Sequence, residues 1–245
     1  DFITVTVDHA VVDEFPDRQT EYRTGPKARY FDQVGCFAVW GDLRNRITRE
    51  LALKPPQLNC FEDLDHFVEK FLTESAGPNY FGDSTAEVGY HIAGFDSEGK
   101  ARLYHRFWGY PRPNPNQMPA DYYFSDHSPT PEKPLQLVYN GRNDIADSVI
   151  SLLIREIDAQ RGVRFDLRNP IDVACLGDFV ARMAAELTRE VAPPFTTYLI
   201  LPDNGIMPFS NDDYSPIDRN VMEQLHTLVQ LPELRLGHVS PIDAT

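Results

Sequence analysis

The chain has 245 residues, of which 42% are hydrophobic and 24% are charged, and its formal net charge is -14. This length suffices for one large core or two small ones, and no change of composition favours two, so we expect one domain over residues 1–245. A uniformly acidic protein repels phosphate backbones and anionic lipids, so we expect neither nucleic acid nor a membrane surface as a partner.

The cysteines exclude two further classes of protein. There are three cysteines, Cys36, Cys60 and Cys175, an odd number at wide spacing. This pattern fits neither a disulfide framework nor a zinc site. Cys36 and Cys175 lie in apolar contexts, which predicts buried thiols and a reducing, cytoplasmic compartment. No apolar run approaches the ~20 residues that span a bilayer. No signal peptide is visible, although a start at Asp1 rather than Met leaves trimming open.

The first half of the chain alternates strand patterns with helix patterns. Residues Phe2–Val7 are rich in β-branched side chains, which favour a strand, and the polar residues 13–23 predict a solvated loop or edge. The further elements expected here are strands at Ala28–Phe31 and Cys36–Trp40, helices at Leu43–Leu53 and from about Asp63, and a hairpin of strands Glu87–Phe95 and Ala101–Trp108.

The second half begins with a segment rich in Pro, Asn and Ser, residues 110–134, which predicts a long surface loop. Asn169-Pro170 predicts a helix start, because asparagine caps helices and proline suits their first turn. The other expected elements are a strand at Leu135–Tyr139, a helix at Ile145–Gln160, a strand at Thr196–Leu201, a turn at Asp203–Gly205 and a helix at Pro216–Leu231.

Two of these helices have the i, i+3, i+4 spacing of apolar residues that indicates one buried face. Their apolar residues are Leu64, Phe67, Val68, Phe71 and Leu72 in one helix, and Val173, Leu176, Phe179, Val180, Met183, Ala184 and Leu187 in the other. Strands separated by pairs of helices predict layers rather than βαβ units. We therefore expect an α+β fold with two packed sheets and helix layers outside them.

Several segments, in this order, resemble the proteasome-type N-terminal-nucleophile (Ntn) hydrolase family. The resemblance spans Phe2–Ile206 and implies a four-layer αββα sandwich. The segments that carry it are FITVTVD (2–8), KARYFDQVGCFAVWGDL (27–43), EVGYHIAGFDSEGKARLYHRFWG (87–109), VYNGRNDIA (138–146) and LGDFVARMAAELTREVAPPFTTYLILPDNGI (176–206).

The resemblance also implies a catalytic arrangement. In this family the side chain of the first residue is the nucleophile, and its α-amine, with an ordinary pKa of about 7.7–8.0, is the base. The family also has a lysine that lowers the pKa of the nucleophilic hydroxyl and an aspartate that orients this lysine. By resemblance, Lys27 is the lysine and Asp8 is the aspartate. The alternatives are a strand-end residue that caps a turn for Asp8 and a solvated cation for Lys27.

The sequence departs from the family at the positions of the other catalytic groups. Several residues, including the nucleophile, should precede Phe2, whereas the chain begins at Asp1. Thr4 and Thr6 are internal, so their nitrogens are amides. The segments that should supply a supporting Ser and Asp read Gly-Arg-Asn at 141–143 and Glu-Val-Ala-Pro at 190–193.

Two other groups of side chains could bind a ligand or simply pack against their neighbours. His91 and His105 face each other in neighbouring strands, but a metal site would need further convergent ligands, so packed histidines are favoured. Asp121, Asp126 and His127 lie with aromatic residues in the expected loop, where binding competes with a loop packed by its own rings.

The functional expectation is a non-catalytic ring or scaffold subunit that assembles into a homo-oligomer. The alternative is an Ntn-type amide or peptide hydrolase, with a peptide or small amide as substrate, whose nucleophile precedes Asp1. A small-molecule binding domain is the third candidate. No cofactor or metal is expected.

Overall fold

The computed structural model describes residues 2–13, 21–24, 27–41, 57–75, 87–109, 121–139, 147, 150–151, 166, 168–187 and 191–209. These residues form a mixed α/β fold. Its strands are β1 (Ile3–Val7), β2 (Ala10–Asp13), β3 (Glu21–Thr24), β4 (Ala28–Phe31), β5 (Gly35–Gly41), β6 (Val88–Phe95), β7 (Ala101–Gly109), β8 (Asp121–Asp126), β9 (Thr196–Ile200) and β10 (Ile206–Phe209). Its helices are α1 (Phe61–Lys70), which continues through a π-helical turn at Phe71–Ser75, and α2 (Pro170–Leu187).

The larger sheet is antiparallel and has the strand order β4-β5-β6-β7-β8. Its central hairpin, β6–β7, was expected from the sequence. Asp96 fixes the turn of this hairpin, because its Oδ1 accepts hydrogen bonds from the backbone nitrogens of Glu98 (2.9 Å) and Lys100 (2.8 Å). Gly99 supplies the positive φ of +74° that the turn requires.

Helix α1 packs on one face of this sheet through the apolar stripe expected from its sequence. Leu64, Val68 and Leu72 are fully buried against the sheet. Alternation along each strand presents every second residue to the helix, which places Phe37 and Tyr90 on this face. Burial of such side chains stabilises the fold by about 1.5–3 kcal/mol each.

The opposite face of the larger sheet packs against a second antiparallel sheet, which has the order β1-β9-β10. The contact is apolar. Its residues are Cys36, Ala93, Phe95, Ala101 and Leu103 from the larger sheet, and Ile3, Val5, Ile200 and Ile206 from the smaller one. Cys36 and Cys175 are buried as expected, and Cys36, Cys60 and Cys175 lie outside disulfide bonds.

Helix α2 contacts β1 and β9 of the smaller sheet. Asn169 caps it as the sequence predicts, because its Oδ1 accepts a hydrogen bond from the backbone nitrogen of Ile171 at 3.0 Å. Gly177 allows close approach, since a methyl group there would lie 2.3 Å from Thr6 Oγ1. Phe179 and Met183 of the predicted stripe are buried, whereas Val180 is half-buried.

Two expectations about local structure are wrong. The expected loop at 110–134 contains strand β8, whose residues pair with β7 from Tyr104 to Gly109. The expected strand at Leu135–Tyr139 has no regular secondary structure. The segment at 13–23, expected as a solvated loop or edge, includes the ends of the paired strands β2 and β3. The helices expected at 43–53 and 216–231 lie outside the described residues, as does most of the one at 145–160.

None of the described helices is long and apolar enough to cross a membrane.

Candidate functional site

Asp8 and Lys27 lie together where the ends of two strands meet. Asp8 directly follows β1, whose last residue, Val7, pairs with Thr196 of β9. Lys27 directly precedes β4, and its carbonyl oxygen accepts a hydrogen bond from the backbone nitrogen of Val39 at 2.7 Å. The fold therefore joins two residues that are 19 positions apart in the chain.

The contact between them is a two-point ion pair. Lys27 Nζ donates to Asp8 Oδ1 at 2.8 Å and to Oδ2 at 3.0 Å. The side chains are 16% and 15% exposed, so Lys27 is not a solvated cation. Charge-assisted hydrogen bonds strengthen as water is excluded, and these two fix the direction of the ammonium group relative to the end of β1.

His9 belongs to the same site, although the sequence suggested no role for it there. Its Nε2 and Thr196 Oγ1 are 2.9 Å apart, and its backbone nitrogen donates to the carbonyl oxygen of Ala192 at 3.3 Å. Burial lowers the pKa of the imidazole, and the Lys27 charge lowers it further, while the Asp8 charge opposes both. The neutral form of the ring is therefore favoured, and either the imidazole or the Thr196 hydroxyl can be the donor in the hydrogen bond between them.

The hydroxyl groups near the pair are internal to the chain. Thr196 and Thr197 lie in β9, so their backbone nitrogens are amides, which accept no proton near neutral pH. Thr197 Oγ1 lies 2.9 Å from Thr6 Oγ1, so these two hydroxyls bond to each other. The described residues of the site are a charged pair and an imidazole beside a hydroxyl.

Two segments, 141–143 and 190–193, should supply the Ser and the Asp that support the N-terminal amine in the family. Residues 141–143 and Glu190 lie outside the described residues. From the second segment, the carbonyl oxygen of Ala192 contacts the site through His9. A signal for His9 did exist in the sequence, since His9 directly follows Asp8.

The pair His91 and His105 forms an aromatic strip with neighbouring rings instead of a metal site. The two imidazoles stack with centroids 4.4 Å apart, and Trp40 Nε1 donates to His105 Nε2 at 3.0 Å. Phe107 stacks on His105 and on Tyr123. In the described part of the chain, no group of three or more His, Cys, Asp or Glu residues could hold a metal ion.

The aromatic residues of the expected loop are mostly packed on their own subunit. Trp108 and Tyr122 contact the core beneath α1, and Tyr123 stacks on Phe107. Phe124 is 46% exposed and covers the Arg106 guanidinium, with 4.3 Å between Cζ and the ring centroid. The alternative of a self-packed segment therefore describes these rings better than a binding loop.

The described residues form a mixed α/β fold in which α1 packs on the larger sheet, α2 contacts the smaller one, and an ion pair lies where β1 ends and β4 begins. Comparison with solved structures finds chains of similar fold. The chain aligns with a chain from the helical assembly of the Anbu complex from Pseudomonas aeruginosa, with a TM-score of 0.55 and 15% identity, over 98% of this chain and 95% of that one.

Two other matches are similar in extent. Anbu (ancestral beta-subunit) from Yersinia bercovieri has a TM-score of 0.51 at 16% identity, over 96% of this chain and 95% of that one. Anbu from Hyphomicrobium sp. strain MC1 has a TM-score of 0.54 at 13% identity, over 97% and 94%. No family model matches the sequence, and no curated protein does. At these identities the likeness shows the fold alone.

These findings correct the family suggested by the sequence. The structural neighbours are Anbu proteins, which are proteasome-like but form a distinct family, so the resemblance to the proteasome-type Ntn hydrolases was wrong at the level of family. The reason is physical: the matching segments are strands, turns and helix stripes, which specify a fold that more than one family shares.

Proposed function

We propose that this chain is a structural subunit of a homo-oligomer, built on one domain over residues 1–245 that completes a four-layer αββα sandwich. The likeness to Anbu over nearly the whole chain carries this proposal, because one of the matching chains was solved in a helical assembly. Helices on the outer faces of two packed sheets, as with α1 and α2, leave helix surfaces available to neighbouring subunits.

A structural role is further supported by the chemistry of the described site. An Ntn hydrolase uses a terminal amine as its base. Here the hydroxyl beside His9 belongs to Thr196, and its nitrogen is a backbone amide within β9. Lys27 and Asp8 neutralise each other and join the ends of β1 and β4, which is a stabilising contact with no need of a substrate.

Light scattering on the purified chain tests the proposal. A homo-oligomer should show a mass several times 27.9 kDa at micromolar concentration. Electron microscopy of the same sample should show closed rings or open helical filaments, since head-to-tail contacts give one or the other. A monomer at micromolar concentration would exclude the assembly proposal and leave the fold assignment unaffected.

A second candidate function is amide or peptide hydrolysis, and the Lys27–Asp8 pair is the observation that favours it. In this hypothesis the nucleophile precedes Asp1, its own α-amine is the base, and Lys27 lowers the pKa of the nucleophilic hydroxyl. Asp8 would orient Lys27 through the two hydrogen bonds at 2.8 and 3.0 Å. The substrate would be a peptide or a small amide.

Fluorogenic peptides separate the two functions. We expect no turnover above background from the chain that starts at Asp1. Under the hydrolase hypothesis, turnover should appear in a longer chain whose first residue after processing is Thr, Ser or Cys. Lys27→Met should then abolish it, whereas Lys100→Met, at an exposed lysine in the β6–β7 turn, should leave it unchanged.

A further inference from the structure

The turn between β9 and β10 is attached to the larger sheet through one buried side chain, that of Asn204. This residue is 8% exposed. Its Oδ1 accepts a hydrogen bond from the backbone nitrogen of Phe95, and its Nδ2 donates to the carbonyl oxygen of Phe95, both at 2.7 Å. Its own carbonyl oxygen accepts from Gln33 at 3.1 Å. Asn204 thus connects the smaller sheet to two places in the larger one.

The residue after Asn204 is Gly205, and this dipeptide is chemically labile. Glycine has no side chain to keep its backbone nitrogen away from the amide carbon of the preceding asparagine. When an Asn-Gly segment is mobile, that nitrogen attacks Cγ, the side-chain amide leaves as ammonia, and a cyclic succinimide remains. Water then opens the ring to aspartate or isoaspartate, so water is the one co-reactant.

The folded turn opposes this reaction at both reacting groups. The nucleophile is the nitrogen of Gly205, whose proton is donated to Asp203 Oδ1 at 2.9 Å. The electrophile is Cγ of Asn204, and both heteroatoms on that carbon are engaged by Phe95. The turn itself is closed by hydrogen bonds from Leu201 to Gly205 (3.0 Å) and from Asn204 to Leu201 (2.8 Å).

We propose that Asn204-Gly205 is a latent deamidation site, protected by the folded turn and activated when that turn opens. Deamidation would also disrupt the hydrogen bonds between Asn204 and Phe95 that protect the site. An aspartate at 204 retains an acceptor for the nitrogen of Phe95 but has no proton for its carbonyl oxygen, so two oxygens would face each other in a buried place. Isoaspartate adds a backbone atom and moves the carboxylate away. One opening event followed by reaction would therefore weaken the packing of the sheets irreversibly.

Peptide mapping by mass spectrometry tests the protection. The full chain is incubated at mildly alkaline pH, folded in buffer and unfolded in urea, and the conversion of Asn204 is followed. We expect conversion in the folded chain to be slower by roughly two orders of magnitude, because reaction proceeds only from the open fraction. Equal rates in the two samples, or no conversion in urea, would overturn the proposal. In urea, Asn140-Gly141 of the same chain reports on the intrinsic reactivity of the dipeptide.

The variant Asn204→Asp tests the consequence. It imitates one product, and its folded-to-unfolded ratio at a fixed urea concentration should fall by roughly tenfold or more. Asn169→Asp is the matched control, since aspartate caps a helix as well as asparagine does. An unchanged urea midpoint for Asn204→Asp contradicts the proposal. A variant too unstable to fold supports the predicted loss of stability. The comparison of wild-type deamidation rates does not depend on this variant.

Discussion

The imidazole rings of His91 and His105 are directly paired across β6 and β7 and stack at 4.4 Å between centroids. His127 approaches the same rings, with a centroid 6.4 Å from that of His105. Burial, with smaller contributions from the charges that His105 and His127 can carry, lowers the pKa of His91 to about 3. His91 is therefore a source of acid sensitivity in the larger sheet.

The fold should lose stability on acidification as a result. An unfolded histidine has a pKa of about 6.5, so as the pH falls the unfolded chain binds a proton before the folded chain does. The contribution of His91 is thus complete above about pH 6.5 and is lost progressively toward pH 3. The loss should be on the order of a few kcal/mol, measured by urea unfolding at several pH values.

Two variants separate His91 from the general effect of acid. His91→Phe retains an aromatic ring but no titrating group, and its unfolding free energy should vary less between pH 6.5 and 3 than that of the wild type. His66→Gln is the control, because the His66 side chain is 76% exposed. If wild type and His91→Phe have parallel pH profiles, His91 is not the sensitive group.

Arg106 is the next position at which a single substitution should have a large effect. It donates from Nε to Asp65 Oδ1 at 2.6 Å and from Nη2 to Oδ2 at 2.7 Å, which joins β7 to α1. Its side chain is 9% exposed. Arg106→Met leaves Asp65 without this partner and should cost about 3 kcal/mol, because a mostly buried carboxylate loses its counter-charge.

A double variant distinguishes a lost pair from lost packing. The double variant Asp65→Leu with Arg106→Met removes both charges of the pair. It should therefore regain much of the stability lost in Arg106→Met alone, as measured by thermal unfolding. Lys100→Met breaks the exposed pair with Glu98 and should change stability by less than about 1 kcal/mol. No recovery in the double variant would show that the arginine acts through its packing with Phe124.

The sequence predicted elements whose signals are local. The alternating strands around the β6–β7 turn and the stripe at Leu64 and Val68 are visible within a few residues, and the structure has both. Strand β8 was missed because its flanking Pro and Asn residues indicate a loop, while its reason to be a strand is the partner β7. Strand β10 contains Pro208, which is tolerated in edge strands but obscures the pattern.

The candidate site likewise depends on contacts between residues that are distant in the sequence. Asp8 and Lys27 were proposed by resemblance, and the structure brings them within 2.8 Å, although their catalytic role remains a proposal. His9 was missed because its partner Thr196 lies 187 positions further along the chain, at a distance that sequence pattern alone cannot specify. The strand wrongly expected at Leu135–Tyr139 has the opposite cause: alternating apolar residues predict a strand, but a strand also requires a partner, which the pattern itself does not reveal.

Helix α2 should depend strongly on Phe179, which is fully buried. Phe179→Ala should cost about 3–5 kcal/mol, because it removes a large apolar side chain and leaves a cavity. The matched control is Ile171→Ala in the first turn of the same helix, where the side chain is 42% exposed and the change should stay near 0.5 kcal/mol. Equal denaturation midpoints for the two variants would show that this face of α2 does not support the core.

Leu135 and Leu137 should matter for assembly rather than for folding. They follow β8 in a segment without regular secondary structure and are 55% and 54% exposed. Large apolar side chains that lie together at a surface often mark a contact between proteins. The double variant Leu135→Ser with Leu137→Ser should leave the urea midpoint of the subunit nearly unchanged, because little apolar area is buried there in the single chain. Its mass by light scattering should fall toward 27.9 kDa. Glu132→Ser, at an exposed position of the same segment, should keep the wild-type mass. If the double variant keeps the wild-type mass as well, these leucines lie outside the contacts between subunits.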